Sequence, residues 1–145
     1  MKKALWVAAS FAIFSAPLLA AADGLTGNWV TPDHSIVAVY PCGPQTVCVK
    51  LLQTMDRMAK DDKNPDETLR SRYLCGLQIG RDFATTVPSH AKDGKIYDPD
   101  SGQTYSATMS ADNSQLKLRG CIGVSLFGRT ELWHRSQENI TACGS

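Results

Sequence analysis

Gln103-Thr104-Tyr105-Ser106-Ala107-Thr108-Met109 alternates without a break: Tyr105, Ala107 and Met109 fall on one side of an extended chain, and Thr104, Ser106 and Thr108 on the other. A period of two is the mark of a β-strand with one dry and one wet face. The stretch is bounded by turn chemistry. Asp98-Pro99-Asp100-Ser101-Gly102 precedes it and Asp112-Asn113-Ser114 follows, residue types that favour tight reversals. Beyond the second turn Leu116 and Leu118 alternate with Lys117 and Arg119, so a second strand folds back on the first.

Working outward, the same rhythm of short apolar runs and turns continues. Strands are expected over 28–30, 35–40, 47–54, 73–79, 95–97, 103–109, 116–119 and 130–135. About eight strands at this spacing predict an all-β domain, a barrel or a sandwich. An antiparallel sheet of that size removes its edges by closing on itself, and its interior is then filled by side chains or holds one small ligand. Two segments break the pattern. Residues 56–72 are dense in charge and read as one long charged loop or a short helix starting near Asp66, either a functional flap or a disordered stretch. Residues 81–93, with Phe83, Pro88 and His90, match neither period.

The N-terminus carries a different signal. Lys2 and Lys3 precede an apolar run over 4–16, Pro17 breaks it, and Ala20 and Ala22 fit an Ala-x-Ala cleavage site. Residues 1–22 therefore read as a signal peptide and 23–145 as a single exported domain, periplasmic or secreted. The run is shorter than the roughly 20 apolar residues a membrane span requires, and no second run follows, so no transmembrane segment is expected after cleavage. Loss of Lys2 and Lys3 from 15 basic residues, against 14 acidic ones, leaves the charge near zero. Nothing in that balance calls for nucleic acid as a partner.

Cysteine usage agrees with export. Cys42, Cys48, Cys75, Cys121 and Cys143 all follow the signal, and in an oxidising compartment such residues pair. Cys42 and Cys48 flank Gly43-Pro44-Gln45-Thr46-Val47, a turn whose closure by a disulfide is expected. One further pair among Cys75, Cys121 and Cys143 leaves one thiol over, and the choice stays open. No CxxC occurs, so zinc is not indicated.

The order of several motifs resembles a known group. Gly27-x-Trp29, Pro41-Cys42, Val47-Cys48, Asp62-Lys63-Asn64-Pro65-Asp66, Arg70-x-Arg72-Tyr73-Leu74-Cys75-Gly76, Gly94 through Pro99, Leu116-x-Leu118-Arg119-Gly120, Ser125 through Thr130 and Trp133-x-Arg135 are similar to the bacterial secreted proteins grouped as domain of unknown function 2147 (DUF2147). The resemblance spans nearly all of 23–145 and departs from the family at Cys121 and in the tail with Cys143. It implies a lipocalin-like (calycin-type) β-barrel and supplies no catalytic residues. It also implies a structural plug, in which Trp29 on the first strand closes one end and Arg135 from the last strand packs over it, a contact worth roughly 0.5–2 kcal/mol.

Candidate chemistry is sparse. Asp61, Asp62, Asn64, Asp66 and Glu67 offer oxygen ligands, but their spacing is not that of an EF-hand loop, and a solvated loop is the expectation. Ser125 is not in a Gly-x-Ser-x-Gly elbow, and nothing fixes His34, His90 or His134 beside it. No catalytic group, cofactor or metal is expected. The last strand is more informative: Arg129, Glu131, Trp133 and Arg135 share a face by period two, with Arg119 arriving from the strand before. If that face points inward its charges need partners. Three readings are open: Glu131 forms a structural ion pair with an arginine beneath the Trp plug; Arg119 and Arg129, with Glu131 and Trp133, serve a small, partly apolar, lipid-like or acidic ligand; or these charges lie exposed to solvent. The other functional expectation is an envelope protein–protein interaction module with a solid core.

Overall fold

The computed structural model describes residues 24–121, 128–137, 140 and 143. Eight strands run in sequence order: β1 (Gly27–Val30), β2 (Ile36–Gly43), β3 (Thr46–Gln53), β4 (Gln78–Val87), β5 (His90–Asp98), β6 (Gln103–Ala111), β7 (Gln115–Cys121) and β8 (Arg129–Arg135). Each pairs antiparallel with the next, and β8 pairs with β1, so the sheet is a closed barrel. Val and Leu at alternate positions of β2, β3 and β7 point inward: Val37, Val39, Val47, Val49, Leu51, Leu116 and Leu118 are all buried. Tyr105, Ala107 and Met109 of β6 face the same interior, the last two fully buried and Tyr105 partly.

Two strands differ from the sequence expectation. The run 73–79 is a strand only from Gln78 onward, and the unplaced 81–93 contains most of β4, the turn at Pro88 and Ser89, and the start of β5. Both strands carry a bulge, which adds a residue and resets the alternation. Asp82 (φ 62°) and Asp93 (φ 60°) sit in the left-handed region. Val49 pairs with Gly80 and Val47 with Phe83, so Gly80 and Phe83 both face inward across Arg81 and Asp82. On β5, Ala91 pairs with Met109 and Gly94 with Ala107. Gly94 lies under the Phe83 ring, and any Cβ there would overlap that ring. The ring is fully buried, and the absence of a side chain opposite it is what lets it fill the interior there.

In this up-and-down topology alternate connections share an end. The turns at 44–45, 88–89 and 112–114 close one end, and the connections at 31–35, 54–77 and 99–102 ring the other. At the closed end Trp29 is fully buried, its Nε1 donating to Leu25 O at 2.8 Å. The Arg135 guanidinium carbon stands 4.0 Å from the indole centroid. The same guanidinium donates to Asn113 O at 2.8 Å, Thr26 O at 3.2 Å and Gly24 O at 2.7 Å, so one cation binds three otherwise separate carbonyls. Gly27 makes that approach feasible: at φ +133° a Cβ would lie 2.7 Å from Arg135 Nη1.

Two disulfides complete the frame. Cys42–Cys48 staples the β2–β3 hairpin at the closed end, with Cα atoms 5.7 Å apart. Cys75–Cys143, with Cα atoms 5.5 Å apart, ties the β3–β4 connection to the C-terminal tail, leaving Cys121 as the free thiol among the described residues. Two disulfides point to a non-cytoplasmic location. No helix among the described residues is long and apolar enough to cross a membrane.

Candidate functional site

The inward row of side chains does not fill the open half of the barrel. A cavity of about 380 Å³ remains there, within the range of small-molecule pockets. Its walls are apolar: Val37, Leu51, Ile79, Ile96 and Leu118, with the rings of Tyr105 and Trp133. Gly120 also lines it, and a Cβ built there meets only Tyr105 at ordinary contact distance, 3.5 Å. Trp133 is 2% exposed, so its body belongs to the wall and its Nε1 donates to Glu131 Oε2 at 3.1 Å.

The rim is polar and comes from the turns. Asp33 of the β1–β2 connection, Asp56 of the β3–β4 connection, Asp98 and Asp100 of the β5–β6 turn, and Glu131 and Arg129 of β8 line the mouth. Asp33 accepts from the Thr31 hydroxyl and, at 2.7 Å, from the Ser35 hydroxyl. Partial burial works against its charged form, but these hydrogen bonds outweigh burial and hold its carboxyl below the usual range. Asp98 accepts from Asp100 N at 3.0 Å and Ser101 Oγ at 2.8 Å. Arg129 Nη2 lies 3.4 Å from Glu131 Oε1.

The residues singled out from the sequence divide. Arg129, Glu131 and Trp133 come together at the cavity, Arg129 outermost with its side chain 77% exposed. Arg119 does not join them. Its neighbours Leu118 and Gly120 line the interior, so Arg119 stands on the outer wall, where Nη1 donates to Thr130 Oγ1 at 3.4 Å. The strand period that brought Leu116 and Leu118 inward is the reason, and it applies equally to Lys117. Trp29 and Arg135 meet at the opposite, closed end. Ser125 lies outside the described residues. His34 sits in the connection before β2, His90 starts β5 beside the closed-end turn and His134 is on the outer wall of β8, so the histidines do not converge.

The charged 56–72 segment is anchored rather than free. Asp61 is fully buried and accepts from Tyr97 Oη at 2.5 Å, Asn64 Nδ2 at 2.8 Å and Arg72 Nε at 2.9 Å, with Arg72 Nη2 at 2.8 Å. Burial opposes its ionisation, but the bonds from Tyr97, Asn64 and Arg72 prevail and hold the carboxyl below its ordinary range. Burial, then the bond and charge of Asp61, push the Tyr97 hydroxyl up to about 12. A single 3-10 turn, Glu67–Leu69, follows, capped by Asp66 accepting from Thr68 N at 3.0 Å. Asp61 and Asn64, two of the oxygen donors considered for calcium, are thus spent on each other, Arg72 and Tyr97. The whole β3–β4 connection lines one side of the mouth through Thr54, Met55, Asp56, Ala59 and Leu74.

The sequence profile of the family described as "Uncharacterized protein conserved in bacteria (DUF2147)" matches residues 27–135, from the first residue of β1 to the last of β8. The chain belongs to the DUF2147 family. Among solved structures, this DUF2147 barrel is similar to protein HP1028 from the human pathogen Helicobacter pylori, described as belonging to the lipocalin family. That match has 22% identity and a TM-score of 0.70, covering 80% of this chain and 85% of that one. A redesigned β-barrel matches at 20% identity and a TM-score of 0.43, covering 79% and 92%. No curated protein matches. The likeness to HP1028 establishes a lipocalin-like barrel as the fold of this DUF2147 chain.

Proposed function

We propose that this DUF2147 barrel is an exported binding protein that takes one small, partly apolar molecule into its open end. The observation that carries the reading is the cavity of about 380 Å³, walled by aliphatic and aromatic side chains in a barrel whose other end is sealed by Trp29 and Arg135. Emptying apolar walls of water is the driving force, and a polar rim orients what enters. Arg129, Glu131 and Trp133 are the β8 contributors to this site. Export, with residues 1–22 as the signal and the periplasm or exterior as destination, is supported by the two disulfides and by the signal-like N-terminus; residues 1–22 lie outside the described ones.

The test is direct. The neutral fluorophore N-phenyl-1-naphthylamine is expected to bind with one site per chain, its emission rising on transfer from water. Gly120→Phe, which grows a ring into the cavity from a position where the first added carbon meets no clash, is expected to weaken that binding at least ten-fold while leaving the circular dichroism and the melting temperature in place. Equal binding by the variant removes the cavity as the site.

A second reading, an envelope docking module, draws on the exposed apolar side chains of the β3–β4 connection: Met55 (77% exposed), Met58 (65%) and Tyr73 (48%). Exposed apolar groups of this size mark interaction surfaces when they form one patch. That reading is separable, because Gly120→Phe leaves these side chains untouched.

A further inference from the structure

We infer that the molecule this cavity takes carries a positive charge, an alkyl or aryl ammonium, rather than an acid. The inference rests on the binding reading above and assigns the ligand class to the same site. The site is the apolar cavity; the rim sets its sign. Asp33, Asp56, Asp98, Asp100 and Glu131 line the mouth, and Arg129 is the one cation among the described lining residues.

The carboxylates are held in place without being neutralised. Among the described residues, Asp33, Asp56, Asp98 and Asp100 take part in no ion pair. Hydroxyls and backbone N–H groups fix three of them: Thr31 and Ser35 at Asp33, Met58 N at Asp56 (2.8 Å), and Asp100 N and Ser101 Oγ at Asp98. Neutral donors orient a carboxylate and leave its charge. The hydrogen bonds on Asp33 also keep it ionised into mildly acidic solution. The guanidinium of Arg129 already faces Glu131 at 3.4 Å, and Arg119 is on the outer wall, so an anionic head group would meet a net negative ring. A low-dielectric cleft lined by one sign of charge concentrates the opposite sign. Below the rim the Trp133 and Tyr105 rings stand in the wall, and aromatic faces beside carboxylates are the usual means of holding an ammonium.

Three probes of equal tail length separate the sign of the rim from the cavity: decylamine, decanol and decanoate, titrated by calorimetry at pH 7 in low salt. The expected order is decylamine tightest, decanol next and decanoate weakest, with decylamine at least ten-fold tighter than decanoate. Raising the salt should compress the gap between the charged probes and leave decanol unmoved. Asp33→Asn with Asp100→Asn is expected to shrink the amine preference at least three-fold. Arg129→Ala, at an exposed side chain that the fold does not need, is expected to enlarge it. Decanol binding with decanoate as tight as decylamine, or an amine preference that these variants do not move, overturns the charge assignment and leaves the cavity reading standing. Failure of all three probes overturns both.

Discussion

Trp29→Ala is expected to destabilise the barrel by about 3–5 kcal/mol, the cost of removing a fully buried large aromatic from a packed site. The indole is completely buried and pairs across the β1–β8 seam with Arg135, the contact through which the sheet closes. Its loss removes three things together: the apolar volume at the closed end, the Nε1 bond to Leu25 O, and the surface on which the Arg135 guanidinium lies. Arg135→Lys separates the last of these. An ammonium cannot reach Gly24, Thr26 and Asn113 carbonyls at once as the planar guanidinium does, so about 2 kcal/mol of loss is expected, each bond to a charged donor being worth roughly 1.5–3 kcal/mol. Urea unfolding of both variants and of the double variant gives the coupling, expected at about 0.5–2 kcal/mol. A Trp29→Ala loss under 1 kcal/mol would mean that the plug does not hold the closed end.

Asp61→Asn is the second large effect, expected at about 3 kcal/mol. Removing one member of a buried ion pair generally costs 3–5 kcal/mol because its partner is left uncompensated, and the partial exposure of Arg72 (37%) puts this case at the lower end. The asparagine amide would also present donors to Tyr97, Asn64 and Arg72, which are donors themselves. The pH dependence has a definite sign. The folded carboxyl titrates below its ordinary value, so the unfolded chain binds the proton first as pH falls. The contribution of Asp61 is therefore complete above about pH 5 and disappears below the ordinary carboxylate range near 4. The gap in stability between wild type and Asp61→Asn should narrow as the pH drops from 5 toward 3. Tyr97 works the other way: its hydroxyl is raised to about 12, so the unfolded chain loses that proton first, and stability falls from about pH 10 upward. A constant gap across the acid range would place the Asp61 carboxylate outside the network.

How much of this was legible depends on the strand. The alternation of β6 and β7 is unbroken in Gln103–Ala111 and Gln115–Cys121, and their inward and outward faces follow from the residues alone. Strands β4 and β5 were hidden because Asp82 and Asp93 adopt a left-handed backbone and each inserts a residue, so Gly80 and Phe83, or Ala91 and Gly94, lie three apart and still face one way. An aspartate in a charged stretch carries no visible sign that it will make a bulge. The β3–β4 connection read as solvated loop because Asp61 is one of several acids in a row, and only the fold brings Tyr97 over it.

The rim was readable in principle. Asp98 and Asp100 read as turn residues in the sequence, and Asp33 lies in a turn as well. In an up-and-down barrel the first, third and fifth connections share one end, so acidic residues in them gather around one opening. The step from turn chemistry to a charged mouth needed the topology as well as the residues. Arg119 needed no topology: the period of β7 that turns Leu116 and Leu118 inward puts it on the outer wall, which takes away half of the anion-binding pair that the sequence of β7 and β8 suggested.

The most direct measurement is of where an apolar guest sits. With the protein isotope-labelled and decanol added, intermolecular nuclear Overhauser effects are expected between the decyl chain and the methyl groups of Val37, Leu51, Ile96 and Leu118, which line the cavity. Contacts confined to the exposed methyl of Met58, which lies off the cavity lining, with the interior methyls silent, would contradict a ligand-accepting barrel.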